Sequence, residues 1–405
     1  MAESVFLSRV VLKNYKSIAT CSVRLGPLNF LVGPNGAGKS NFLDALRFVA
    51  ESLNISLDHA LRERGGIAEI QRRSSADSGY FGMRLEFTLS NGDSGHYAFR
   101  IGALPTGGSE VQQEECRVDG PDLGNGRFYQ VERGRVVQSQ PSLVPAAAPN
   151  RLFLVAASTL LEFHPLYDAL SHMGFYHFDP DEIRNFQAPD TGEVLLRDGR
   201  NLASVFNALG RDSPDTRNRV VEFLSKVVPE IKDVTVKRVG NRETLEFQQR
   251  ASGNGGTWTF LAENMSDGTL RTLGVLMALL QSTDGGARQV PLVGIEEPEM
   301  AVHPGAAGVL RDALRTAAQM TQVIVTSHSP DLLDDKDVRD DWVLGVVSED
   351  GETQIGPLKE ADRSVLRDRL FTAGELLKLG QLTPDLEAIR QTPPKQLELF
   401  GRSDA

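Results

Sequence analysis

Eight residues, G-P-N-G-A-G-K-S at positions 33–40, have the spacing of a loop built to hold a chain of phosphates. Gly33, Gly36 and Gly38 let the main chain turn tightly and bring its N–H groups against anionic oxygens with no Cβ in the way. Pro34, Asn35 and Ala37 complete the cradle, Lys39 supplies a cation for the outer phosphates, and the Ser40 hydroxyl is placed to bind Mg2+. A glycine-rich turn with a surface lysine is the plain alternative, but the flanks argue against it. Leu28–Val32 (L-N-F-L-V) reads as a buried strand, and from Asn41 on the chain is helical, with Phe42, Leu43, Leu46 and Val49 on one side.

Three further segments carry chemistry. The apolar run 291–295 (P-L-V-G-I) ends in E-E-P-E at 296–299. A carboxylate at the end of such a strand can hold a metal shell, and the next can orient or deprotonate a water. Glu296 is therefore read as the metal carboxylate and Glu297 as the group that acts on water. S-D-G-T at 266–269 precedes a helical stretch with Leu273, Leu276, Met277 and Leu280 at core spacing. Ser266 is its N-cap, and the turn Ser266-Asp267-Gly268 is a second phosphate site that one domain cannot fold onto its own loop. V-I-V-T at 323–326 has strand character and places His328 just past its end. A lone histidine there is more often structural; the order of the segments argues otherwise.

In this order the four segments resemble the ABC-type ATPases of the SMC, RecF and OLD group, and S-D-G-T-L-R is close to the form in the RecF-like bacterial branch. Residues 12–18 (L-K-N-Y-K-S-I) resemble the first strand and turn of these heads, where the basic residue, here Lys16, approaches the nucleotide. The resemblance implies an α/β fold: an ABC-type P-loop ATPase head of mixed sheet and flanking helices, with an inserted α+β lobe. It implies ATP and Mg2+, with Ser40, Glu296 and Gln71 on the metal and Lys39, Glu297 and His328 as catalytic residues, His328 sensing the γ-phosphate. It also implies a homodimer closed on ATP, in which Ser266, Asp267 and Gly268 reach the nucleotide of the partner copy. Three positions depart from the pattern: Asp267 and Thr269 replace the usual Gly and Gln/Glu, and Glu296 stands where Asp is usual. V-H-P at 302–304 resembles the family's L-H-P, with a helix start as the plain reading of His303. Residues 198–202 and 371–382 read as packing elements. Residues 51–263 hold no sustained heptads, so no coiled-coil arm is expected, and the 77 residues after His328 are too few for a fused Toprim nuclease.

These elements need a large scaffold. The 405 residues exceed one usual domain. Residues 1–103 are expected to form the N-terminal part of the head, 104–260 the inserted lobe, 261–357 the C-terminal part, and 358–405 a helical region with a flexible tail. With 40% apolar and 24% charged residues the composition is that of an ordinary soluble protein. No apolar run reaches membrane-spanning length, the N-terminus lacks a signal-peptide pattern, and Cys21 and Cys116 lack metal or disulfide spacing, so a cytoplasmic protein is expected. Net charge is −11, yet residues 1–101 hold 12 Lys/Arg against 9 Asp/Glu. Arg62, Arg64, Arg72 and Arg73 cluster there as a contact for DNA phosphates, or as a solvated loop. Q-L-E-L-F at 396–400 resembles the peptide that engages the bacterial β sliding clamp, with Gln396, Leu397, Leu399 and Phe400 as contacts; packing on the protein's own surface is the alternative. The reading is a DNA-associated ATPase of genome maintenance. The alternative is a defence-type ATPase that regulates a separate effector nuclease. A pure scaffold is disfavoured by Glu297.

Overall fold

Two patterns of hydrophobicity build two kinds of sheet. The computed structural model describes residues 5–400 except 73–78, 122, 125, 143–145, 252–255, 283–289 and 301. The chain forms two compact units: one of Val5–Met173, Arg339–Leu370 and the chain from Gly380 on, the other of Gly174–Val338 and Phe371–Leu379. The first unit holds β1 (Leu7–Tyr15), β2 (Ile18–Arg24), β3 (Leu28–Val32), β4 (Tyr80–Thr88), β5 (Ser94–Ala103), β6 (Ser109–Asp119), β7 (Arg127–Glu132) and β8 (Arg135–Gln140). The second holds β9 (Gly174–Tyr176), β10 (Ile231–Val239), β11 (Arg242–Arg250), β12 (Thr257–Leu261), β13 (Leu292–Glu296) and β14 (Gln322–Ser327). β15 (Val343–Glu349) and β16 (Glu352–Pro357) return to the first.

In the first unit an antiparallel sheet runs in the order β2-β1-β4-β5-β6-β7-β8. Its strands alternate: Phe81, Met83, Leu85 and Phe87 of β4 are buried, while Arg84 and Glu86 lie on the other face. The helix Lys39–Asn54 drops Phe48 among Tyr15, Phe81 and Phe99, with ring centroids 6.3, 5.3 and 6.3 Å away. Burying a phenylalanine this fully contributes about 2 kcal/mol, so the helix that starts at the phosphate loop is anchored by its own third turn. The other pattern is an unbroken apolar run. β3 is buried at every position and pairs in parallel with β15, which pairs antiparallel with β16.

The second unit repeats that logic. β13 lies between β14 and β9, parallel to both, and its first four residues, Leu292, Val293, Gly294 and Ile295, are buried. The helix Asp267–Leu280 is buried along most of its length, and a Cβ at Gly274 would stand 2.7 Å from the ring of Phe178. β10, β11 and β12 form a separate antiparallel sheet.

The α/β class expected from the sequence is the class found. β4 begins at Tyr80, with Phe81 opening its alternation. β9 is three residues long, too short to leave a periodic signal in the sequence. One expected boundary differs. Residue 104 falls at a turn inside the antiparallel sheet, where β6 pairs with β5 along its length, so no unit boundary lies there.

Candidate functional site

The site residues fall into two groups, one on each unit. In the first, β3 delivers the chain into the phosphate loop, where Gly36 (φ 76°) and Gly38 (φ 100°) occupy the left-handed region. The loop is held from behind. A Cβ at Gly33 would come within 1.9 Å of the Val346 carbonyl oxygen, and one at Gly38 within 2.0 Å of Thr353 Oγ1. The Thr353 hydroxyl donates to the Ala37 carbonyl at 2.9 Å and lies 2.6 Å from Ser17 Oγ, which in turn accepts from Asn41 Nδ2 at 2.6 Å. Lys39 is buried, and its ammonium donates to the carbonyls of Gly33 at 2.8 Å and Pro34 at 3.0 Å. Pro34, Asn35, Gly36 and Ser40 are exposed along the open side. A loop braced from behind, with a cation across its mouth and an exposed serine in the first helical turn, fits a polyphosphate and its metal.

Lys16 sits at a strained turn (φ 49°) with its ammonium 2.5 Å from Asp44. Burial by itself would raise the Asp44 pKa, but Arg64, Lys16 and Arg47 outweigh it and hold the carboxyl well below its usual range. Gln71 ends the short helix Ile67–Ile70, bridges to Tyr15, and lines an open cavity with Lys16, Glu69 and Arg72. Its Nε2 is enclosed with no partner among the described residues. An unpaired enclosed donor beside a lysine is the arrangement a polar ligand would satisfy.

The arginine cluster needs correction. The Arg64 side chain is 2% exposed and bonds inward to Asp44, Glu51 and the Ala60 carbonyl. Arg72 is tied to Glu352 at 2.7 Å and to the Ser17 carbonyl at 3.0 Å. Arg62 is exposed but paired with Asp58 at 2.6 Å, and Arg73 lies outside the described residues. Sequence shows where charges are, not which way a long side chain turns, and two of these guanidiniums turn into carboxylates.

In the second unit β13 ends at Glu296, whose carboxylate lies 3.4 Å from Arg197. Glu297 takes φ 44°, and its N–H donates to the Thr326 carbonyl at 3.0 Å and to Thr326 Oγ1 at 3.2 Å. A side chain in the left-handed region costs about 1–3 kcal/mol, so β14 is holding Glu297 in a chosen direction. That direction sets Glu297 Oε1 3.2 Å from His328 Nδ1. Glu299, which sequence reasoning left without a role, accepts from Ser327 Oγ at 2.5 Å, and its other oxygen is enclosed without a partner among the described residues. Burial pushes its pKa up. Its signal was present in E-E-P-E, but carboxylates after a strand are common and nothing marked this one as buried. Ser266 caps the following helix, accepting from the Thr269 N–H at 3.3 Å, and Asp267 is exposed and held by Arg184. His303 follows its plain reading: Nδ1 accepts from Gly305 N–H at 3.1 Å and starts the turn Pro304–Ala306.

The tail is packed, which corrects the expectation of a flexible one. Leu399 is 5% exposed, and a Cβ at Gly82 would lie 2.4 Å from its Cδ1. Arg84 donates to the Leu399 carbonyl at 3.0 Å and Arg9 to that of Gln396 at 3.5 Å. Leu397 and Phe400 are half-buried, so engaging a clamp would require the whole segment to leave β4. Residues 401–405 lie outside the described residues.

Residues 28–334 match the family described as "AAA domain, putative AbiEii toxin, Type IV TA system", and the chain belongs to this family. It is similar to the DNA replication and repair protein RecF of Magnetococcus marinus, 37% identical over 98 residues, which is 24% of this chain and 25% of that protein. It is 44% identical to RecF of Aliivibrio fischeri over 41 residues, 10% of this chain and 11% of that one. The chain thus covers a quarter or less of the length of these relatives. Among solved structures, an SMC head bound to the C-terminal winged-helix domain of ScpA superposes with a TM-score of 0.55 at 15% identity, over 88% of this chain and 99% of that one. An Smc head with an extended coiled coil, bound to the C-terminal domain of ScpA from Pyrococcus furiosus, gives 0.52 at 12% identity, over 90% and 99%. The fold is that of these SMC heads. Among the described residues no helix is long and apolar enough to cross a membrane.

Proposed function

We propose, from that membership, that the chain is an ATPase that dimerises around ATP and uses the bound or hydrolysed state of the nucleotide as a switch. The observation that carries this reading is Glu297, forced to φ 44° with its carboxylate 3.2 Å from His328 Nδ1, directly after Glu296 at the end of β13. A strained carboxylate hydrogen-bonded to an imidazole is suited to orienting a water and taking its proton. Gly33 through Gly38 hold the phosphates through backbone N–H groups, Lys39 neutralises them, and Lys16 adds a second cation. Ser40, Glu296 and Gln71 would hold Mg2+, which supplies charge neutralisation across the outer phosphates. His328 keeps Glu297 aimed and reports whether the last phosphate is present. Ser266, Asp267 and Gly268 start an exposed, capped helix end, the form needed to meet the phosphates held by a second copy.

Glu297→Gln protein should bind ATP, turn it over about 100-fold or more slowly, and run as a dimer when sized with ATP. Ser266→Arg should bind ATP and stay monomeric. A monomeric Glu297→Gln protein at micromolar concentration with ATP overturns the dimer.

DNA is the partner we favour, supported by the similarity to RecF and by the SMC-type fold. The inward turn of Arg64 and Arg72 supports the second reading, in which the ATPase regulates a separate effector. The two separate on one measurement. The Glu297→Gln dimer should bind duplex DNA in an ATP-dependent, salt-sensitive way, and Arg62→Glu should leave that binding unchanged. No DNA binding at low salt leaves the regulatory reading.

A further inference from the structure

One half-buried arginine at the site has its Nε enclosed without a partner among the described residues. Arg271 lies one turn into the helix Asp267–Leu280 and lines a small cavity with His177, Phe178, Glu296, Glu297 and Pro298. Its Nε is buried and finds no hydrogen bond among the described residues. A guanidinium carries five donors in a fixed fork, and leaving one enclosed and unpaired is unfavourable, so a purely structural arginine would be expected to close on a carboxylate. Two carboxylates line the same cavity, and one of them, Glu296, is engaged by Arg197 at 3.4 Å.

The helix that carries Arg271 begins at the signature turn. Its first turn is locked to that start: Ser266 Oγ accepts from Thr269 N–H at 3.3 Å, and Thr272 Oγ1 donates to the Gly268 carbonyl at 2.6 Å. Further along, the helix is keyed to the strand that ends in the carboxylates. Gly274 lies flat against Phe178, where a Cβ would stand 2.7 Å from the ring. Phe178 stacks on Tyr176 at 5.5 Å with the planes 5° apart, Tyr176 pairs with Ile295 of β13, and its hydroxyl accepts from Gln281 Nε2 at 2.8 Å. With so little free volume, a shift of the helix start is passed on as a rigid displacement of Arg271 against Glu296 and Glu297.

We propose that Arg271 is a positioning residue that couples the signature turn to the hydrolytic carboxylates of the same chain, so that engaging the partner's nucleotide at Ser266–Gly268 aligns Glu296 and Glu297 for the chain's own. This deepens the proposed dimer and rests on it. Each helix would then touch one nucleotide through its N-terminus and govern the other through Arg271, giving the dimer a route by which its two sites are read together. The guanidinium acts by hydrogen bonding to the carboxylates and moves no proton.

The test measures ATP affinity, turnover and its dependence on ATP concentration for Arg271→Ala and Arg271→Lys, with sizing of each in the Glu297→Gln background. Arg271→Ala should bind ATP within twofold of the unaltered protein and still dimerise, yet lose about tenfold in kcat and any cooperativity in ATP. Arg271→Lys, which keeps the charge but not the fork, should recover part of the kcat. Unchanged kcat in Arg271→Ala overturns the proposal, as does a loss of ATP affinity and dimer equal to the loss of rate. Should the alanine variant not fold, the lysine variant decides: reduced kcat at unchanged affinity supports the coupling, and full kcat overturns it. If Glu297→Gln alone is monomeric with ATP, the dimer has failed, and the kcat of Arg271→Ala still shows whether Arg271 governs the carboxylates.

Discussion

The phosphate loop and the acidic end of β13 both enter the left-handed backbone region, and they use different residues to do so. In the loop the left-handed positions, φ 76° and 100°, are glycines, for which that region costs little. At the end of β13 the left-handed position, φ 44°, is a glutamate, which carries the penalty. The loop needs backbone N–H groups at its surface and no side chain in the way. The strand end needs a side chain, and the fold supports its cost through the two hydrogen bonds from Glu297 N–H to Thr326. Strain that serves the backbone can be assigned to glycine; strain that aims a functional group cannot.

The largest expected effect lies in the loop. Gly38→Ala places a Cβ 2.0 Å from Thr353 Oγ1 at φ 100°, so either the loop or the β15–β16 hairpin must move. ATP affinity should fall on the order of 100-fold. Gly36→Ala is the control inside the same loop: φ is 76°, but nothing lies within 4 Å of the new Cβ. Its penalty is the left-handed conformation alone, about 1–2 kcal/mol, and affinity should fall about tenfold. Equal losses in the two variants would show that the brace behind Gly38 has no part in shaping the loop.

At the strand end the comparison predicts opposite signs for activity and stability. Glu297→Gly removes the carboxylate and the strain together. ATP turnover should be lost, while stability to thermal unfolding rises by about 1 kcal/mol after the added chain entropy of glycine is counted. Glu297→Gln keeps the strain, so it should lose turnover with little change in melting temperature. A glycine variant that melts below the glutamine variant would mean that Glu297 is not held against its preference.

This contrast also explains what could be read from the sequence. The phosphate loop was legible because its special positions are glycines at fixed spacing, and β3, β13 and β14 were legible because buried parallel strands are unbroken apolar runs. Glu297 could be proposed for chemistry from E-E-P-E, but its left-handed backbone could not, since nothing in that segment reveals φ. Arg64, Arg72 and Leu399 were misread for a related reason. A long side chain on a half-buried segment can face either way, and the deciding partners, Asp44, Glu352 and Gly82, are distant in sequence. Arg271 and Thr353 gave no signal, because each acts through an element that reaches it only after folding.

The smallest effect extends the comparison to two buried carboxylates. Glu114 on β6 accepts from the hydroxyls of Tyr97 at 3.1 Å and Tyr129 at 2.9 Å and from the N–H groups of Phe153 at 2.5 Å and Leu154 at 2.8 Å. Glu299, beside the proposed catalytic residues, accepts from Ser327 at one oxygen, and its other oxygen finds no partner among the described residues. Burial raises both, and it pushes Glu114 up to about 7 despite its four donors. A carboxyl raised in the folded state contributes stability that is full below its unfolded value near 4.5 and is lost as pH rises through about 7. Tyr97, Tyr129 and Cys116 around it are all pushed upward by burial, so none of them titrates in that window. Between pH 5 and pH 8 the melting temperature should therefore fall by about 3 °C more in the unaltered protein than in Glu114→Gln. The variant itself should be less stable at pH 5, because its amide turns a donor toward the Phe153 N–H. Glu299→Gln should change ATP turnover, since Ser327 and His328 follow one another at the end of β14. Identical slopes for Glu114→Gln and the unaltered protein would show that Glu114 stays ionised in the folded state throughout, held by its four donors against the cost of burial.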